Sequence, residues 1–172
     1  MNTLRAAAVR LGFPSDGILL VVDIVRQQML VSGHKDPFPV STARNGLGEQ
    51  MNSYRTPRGF HRVSERHGLD LPPGALLVSR QFTGEIVPPT AWQELSGDKI
   101  LSRILRLSGC LPGMNAGGSV DTYDRMIYLH GTNQEQFVGV IPSSHGCIRM
   151  KNDDIIRLCE LIIDRETWCW IG

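Results

Sequence analysis

Ile18-Leu19-Leu20-Val21-Val22-Asp23-Ile24-Val25, then Arg26-Gln27-Gln28, then Met29-Leu30-Val31-Ser32: this stretch decides the fold class. The first run is of strand length and rich in β-branched residues, the polar triplet turns the chain, and the second run returns. A β-hairpin is predicted. Downstream, Phe38 to Thr42 reads as a further short strand and Arg44 to Pro57 as a loop. Gly59 to Ser64 and Leu76 to Val87 read as the next strands, parted by the Pro72-Pro73-Gly74 break. Ile100 to Leu107 suits either a helix or a strand buried on both faces. Pro112 to Ser119 is a Gly-rich loop, and Met126-Ile127-Tyr128-Leu129 is a strand ending at His130-Gly131.

A helix is predicted near the C-terminal end. Asn152 can cap it, Asp153 and Asp154 suit its positive end, and Ile155, Leu158, Cys159 and Ile162 repeat at helical spacing. Trp168 to Ile171 returns as a final strand. At the other end, Thr3 to Leu11 fits a short amphipathic helix closed by Gly12 and Pro14. Many short strands with one or two helices predict a mostly β fold, a barrel or sandwich. Residues 1–16 are an N-terminal arm and 17–172 a single domain, as expected at about 150 residues per domain.

Composition excludes several functions. Hydrophobic residues make up 41% of the 172, enough for a core. Eighteen Lys and Arg against 17 Asp and Glu leave a net charge of +1, which argues against a nucleic-acid partner. No apolar run approaches the roughly 18 residues of a membrane span. Arg5 and Arg10 interrupt the only apolar stretch near the start, Ala6-Ala7-Ala8-Val9, so no signal core is evident. A cytoplasmic protein with reduced thiols is therefore expected, or a periplasmic one if a leader has been removed. Cys110, Cys147, Cys159 and Cys169 form no Cys-x-x-Cys pair, and no spacing supports a metal site or a cofactor. Asn45-Gly46-Leu47-Gly48 lacks the third glycine of a dinucleotide loop and reads as a turn.

The chemistry is concentrated in Ser144-His145-Gly146-Cys147-Ile148-Arg149-Met150 and the upstream His130-Gly131-Thr132. A cysteine nucleophile reacts as the thiolate, so its usual pKa of about 8.5 is expected to be lowered here. A nearby histidine can take the proton while a third group orients the imidazole. His130 stands at a predicted strand end, and Cys147 is expected just before the C-terminal helix, so the two can meet. Amides around Gly146 and Cys147 can stabilise an oxyanion. Cys159, on the apolar helix face, reads as a small hydrophobe, as do Cys110 and Cys169. His34, His61 and His67, among polar neighbours, are expected to be solvated.

Ser144 to Arg149 following a His-Gly resembles the active-site signature of the L,D-transpeptidase family, also called the YkuD or ErfK/YbiS/YcfS/YnhG family. Ile18 to Ser32 is similar to the family's opening hairpin, and Thr56-Pro57-Arg58-Gly59 to its Thr-Pro-x-Gly turn. Leu105 to Gly109 with Asn115, and Arg125 to Thr132, resemble the approach to the catalytic histidine. The likeness runs over nearly the whole chain beyond residue 17. It implies the β-rich YkuD fold and cysteine acyl transfer, with Cys147 as nucleophile, His130 as base and the Gly131 carbonyl as orienter. Ser144, His145 and Gly146 would form the nucleophile loop, and the amides of His145 to Cys147 the oxyanion hole. Arg149 and Tyr128 would bind substrate, Arg149 through a carboxylate, with a structural ion pair as its alternative role.

The implied substrates are peptidoglycan stem peptides or muropeptides, cut between the L-centre of a diamino acid and the following D-Ala. A carbapenem is expected to acylate the same cysteine. Hydrolysis, as in an L,D-carboxypeptidase, is favoured over crosslinking or D-amino-acid exchange, because no leader is evident and the Pro112 to Ser119 loop lacks lid aromatics. A non-catalytic muropeptide-binding module is the reading from another class.

Overall fold

The computed structural model describes residues 1–172. The chain runs α1 (Asn2–Arg10), β1 (Ile18–Asp23), β2 (Gln28–Val31), β3 (Phe38–Pro39), β4 (Gly59–His67), β5 (Ala75–Val78), β6 (Gln81–Ile86), β7 (Ile100–Gly109), β8 (Tyr128–Thr132), β9 (Ile148–Met150), α2 (Asn152–Leu161) and β10 (Thr167–Ile171). All ten strands join one half-barrel sheet in the order β3-β2-β1-β10-β4-β7-β5-β6, with β8 and β9 branching from β7. The fold class is the mostly β one the sequence predicts.

β1 explains why its sequence is apolar at nearly every position. Ile18, Leu20 and Val22 face the main core, which α2 covers with Ile155, Leu158 and Cys159, joined by Ile162 just past its end. Leu19 and Val21 face the other way, against Phe13, Phe60 and Trp168 under α1. A strand covered on both faces reads as a continuous apolar run. The same holds for β7, whose Leu105 and Leu107 point into the main core while Ile104 packs with Leu77 and Tyr128. This resolves Ile100 to Leu107 as strand. β1 and β10 pair in parallel, Ile18 level with Thr167, so the two ends of the domain lie side by side.

Five expectations change. Leu76 to Val87 is two antiparallel strands turning at Ser79-Arg80, where both residues take positive φ, 49° and 69°. Neither residue is Gly or Asn, so the turn carries no composition signal. Phe38 to Thr42 keeps only two strand residues, because the chain then leaves β2 for an isolated bridge between Ser41 and Arg149. A short parallel strand, β9, lies between Cys147 and α2. Finally, Asn152 is the first residue of α2 rather than its cap. Its side chain, fully buried, instead bonds the Thr132 carbonyl (2.9 Å), Glu135 (2.8 Å) and Ser102 (2.8 Å). His61 is also buried, not solvated, with Nε2 3.3 Å from Asn115 Nδ2.

Candidate active site

The parallel pairing of β8 with β9 sets the site. Leu129 is level with Ile148 and His130 with Arg149. Side chains alternate along each strand, so Leu129 and Ile148 enter the core while Tyr128, His130 and Arg149 project from the opposite face. Cys147, one residue before β9, turns towards β8: its Sγ accepts from the Tyr128 amide (3.4 Å) and donates to the Met126 carbonyl (3.5 Å). His130 and Cys147 are thus one diagonal step apart on adjacent strands. Diagonal neighbours lie within reach of long side chains.

Gly131 lets β8 lie close against β7 and α2. A Cβ there would stand 2.4 Å from both the Leu101 carbonyl oxygen and Asn152 Oδ1. His130 Nδ1 lies 2.9 Å from the Gly131 carbonyl oxygen. A carbonyl only accepts, so Nδ1 carries the proton and Nε2 holds the free lone pair.

The loop leading to Cys147 is locked by its own Ser144 and by Thr56. Ser144 Oγ donates to the Cys147 carbonyl (2.5 Å) and accepts from the Gly146 amide (3.2 Å). Thr56 Oγ1 donates to the Gly146 carbonyl (2.9 Å) and accepts from the Ala43 amide (3.0 Å). Gly146 adopts φ 136°, and a Cβ would meet Ile127 Cδ1 at 3.0 Å. The amides of His145 and Cys147 donate to no protein atom, so of the three expected oxyanion donors two are unengaged and Gly146 is committed to Ser144.

The electrostatics differ from the expectation of a ready thiolate. Burial pushes the Cys147 thiol up to about 11 and holds the His130 imidazole below its usual value. Only a main-chain amide and a carbonyl contact Sγ, and no hydrogen bond joins it to His130. With no cation in contact, a half-buried thiolate is poorly compensated. The resting pair is neutral thiol and neutral imidazole.

Arg149 is 1% exposed and fully engaged within the protein. Its guanidinium donates to Asp98 (2.6 and 3.0 Å), Gln134 (3.0 Å) and Ser143 (2.9 Å). Tyr128 is buried, and its hydroxyl accepts from Arg80 Nη1 at 3.0 Å. His145 is exposed and meets Tyr54 edge-on, centroids 5.9 Å apart. An opening of about 440 Å³ lies between His145, Ser144, Tyr54, Arg44 and Asn45. A second, of about 240 Å³, runs from Tyr54 and His145 to Met126 and Ile127.

Sequence reasoning missed Asp98 and Arg80, and saw Thr56 only as part of a turn. Asp98 also accepts from Thr132 Oγ1 (3.3 Å), tying the strand that carries His130 to Arg149. It stands far from both motifs in sequence, and only β7 brings it near.

A sheet that brings a cysteine, a histidine and unengaged amides together holds the groups that cysteine acyl transfer needs. The sequence profile of the YkuD L,D-transpeptidase catalytic domain matches residues 17–169, and the chain belongs to that family. Comparison with curated proteins finds no match. Among solved structures, the fold is similar to L,D-transpeptidase 3 from Mycobacterium tuberculosis (TM-score 0.55, 15% identity, covering 91% of this chain and 61% of that one). It is also similar to the L,D-transpeptidase LdtMt1 in complex with imipenem (0.54, 16%, 91% and 59%). An L,D-transpeptidase from Mycobacterium smegmatis gives 0.51 at 17% identity, covering 91% and 58%. The chain spans about three fifths of the length of these proteins.

Proposed function

We propose that this protein cleaves the L,D bond between the diamino acid and D-Ala of peptidoglycan stem peptides through a Cys147 thioester. The observation that carries the reading is the diagonal His130–Cys147 arrangement beside the unengaged His145 and Cys147 amides. His130 Nε2 takes the thiol proton as Sγ attacks the carbonyl of the L-centre. The oxyanion that develops takes the two free amides, and its collapse expels D-Ala, whose amine recovers the proton from His130. Family membership and the imipenem complex of a relative agree with acylation at this sulfur.

Water is our preferred attacker of the thioester. The Pro112 to Ser119 segment lies pinned to the sheet: Asn115 Nδ2 donates to the carbonyls of Arg58 (2.7 Å) and Phe60 (3.1 Å), and Leu111 N–H to Asn115 Oδ1 (2.9 Å). A segment held this way shields the thioester poorly. Transfer to an amine is the second reading, favoured by the two openings on either side of Tyr54 and His145. Incubation with a tetrapeptide muropeptide and excess D-amino acid, read by mass, tests both. Tripeptide and free D-Ala as main products support hydrolysis; exchanged tetrapeptide or crosslinked dimer supports transfer. No product of any kind, with Cys147 unreactive towards a carbapenem, leaves a binding module.

A further inference from the structure

Around Cys147 most cations are already spent. Arg149 is buried on Asp98, and Arg106 bonds the Tyr123 carbonyl (2.9 Å) and stacks on its ring beside Glu65. Arg125 donates to the carbonyls of Gly48 and Arg55. Arg80 differs. It sits half-exposed at the tip of the β5–β6 hairpin, and no carboxylate pairs with it. The nearby acid, Glu65, is taken by Tyr123 (2.5 Å), His67 (2.9 Å) and Arg106 (3.4 Å).

One Arg80 nitrogen rests on Tyr128 Oη at 3.0 Å and lies 4.0 Å from Met126 Sδ. Those same two residues hold the sulfur, Tyr128 through its amide and Met126 through its carbonyl. The guanidinium and Sγ are therefore linked through the same two residues, and most of the guanidinium's five donors are unused. Arg80 also holds a left-handed backbone, φ 69°, in a turn where Gly is the usual occupant. Strain of this kind persists where the surrounding structure holds it in place.

We propose that Arg80 is the substrate-carboxylate receptor of this site, its guanidinium steadied on Tyr128 Oη and its free edge pairing in bidentate fashion with a peptide carboxylate next to the scissile bond. This rests on Cys147 as the nucleophile. It assigns to Arg80 the role the sequence offered to Arg149. A planar fork matches a carboxylate in a way a point charge does not. Two carboxylates have the right chemistry: the terminal one of the leaving residue and, in a diamino acid that carries one, the side-chain carboxylate.

The test compares a tetrapeptide with free carboxylates against two analogues, one amidated at the C-terminus and one at the diamino acid side chain. Kd is measured on the Cys147→Ala protein and kcat/KM on the active one, each with and without Arg80→Gln. We expect Arg80→Gln to weaken binding and kcat/KM on the free peptide at least tenfold, mostly through KM, with Arg80→Lys recovering only part. Amidating the recognised carboxylate should cost the parent at least tenfold and the Arg80→Gln protein nothing, which also says which carboxylate is read. Unchanged discrimination in Arg80→Gln, or its loss in Arg44→Gln instead, overturns the proposal while turnover and a Cys147 carbapenem adduct keep the nucleophile reading intact. Absence of both turnover and adduct in the parent overturns the two together.

Discussion

Cys147 and His130 are both neutral at rest, and this sets how the sulfur answers different reagents. With its thiol pushed up to about 11, Cys147 holds little thiolate at pH 6, and alkylation by iodoacetamide should accelerate roughly tenfold per pH unit through the neutral range. Cys110, also pushed up to about 11 by burial, should show no large disadvantage at mildly acidic pH. Peptide mapping across pH 5.5 to 9 reads both rates; early, selective labelling of Cys147 at pH 5.5 would contradict the neutral pair. A carbapenem brings its own electrophilic carbonyl to the oxyanion amides, so its adduct should still map to Cys147 and vanish in Cys147→Ala. Cys159→Ala should leave acylation intact and lower stability by about 1 kcal/mol, as a buried small hydrophobe does. His61, whose burial lowers its pKa to about 4, gives a pH dependence of folding. The unfolded chain takes up that proton below about pH 6.5 and the folded one only near 4. The contribution is full above pH 6.5 and on the order of 3 kcal/mol is lost as pH falls to 4. Urea midpoints at pH 7 and pH 4.5 should drop less in His61→Asn than in the parent.

At the scale of elements, Asn152 ties α2 to the strand that carries His130. Asn152 joins the Thr132 carbonyl, Glu135 and Ser102, and Gly131 beside it leaves no room for a methyl group. Asn152→Ala should cost about 2–3 kcal/mol, by leaving buried partners unsatisfied, and slow acylation by loosening His130. A thermal melt and the carbapenem acylation rate check the two effects. The β1–β2 hairpin and α2 were legible in sequence because their apolar spacing is local. β9 was not: three residues long, it exists only by pairing with β8. The β5–β6 turn was hidden because Ser79-Arg80 holds positive φ without Gly or Asn. For the site, His130 and Cys147 were legible as motif residues, whereas Asp98 and Arg80 reach it only through the pairing of β7 with β8 and β5.

At the scale of the whole molecule, the sheet has two covered faces, and His130 and Cys147 lie outside the cluster under α1. Ala8 and Phe13 cover Leu19, Val21 and Trp168 on the face away from α2. Removing residues 1–16 should uncover that apolar face and cost about 3–5 kcal/mol, near the value of one large buried aromatic. The carbapenem acylation rate of the folded fraction should be unchanged, which a melt and a mass time course separate. The parallel alignment of β1 with β10 has a mechanical consequence. A force pulling on residue 18 and residue 171 draws the two strands past each other lengthwise, so the ladder from Ile18–Thr167 to Val22–Ile171 is loaded all at once rather than bond by bond. The ends of the chain are thus locked in shear, while the β8–β9 pairing that holds His130 beside Arg149 stays out of the line of pull.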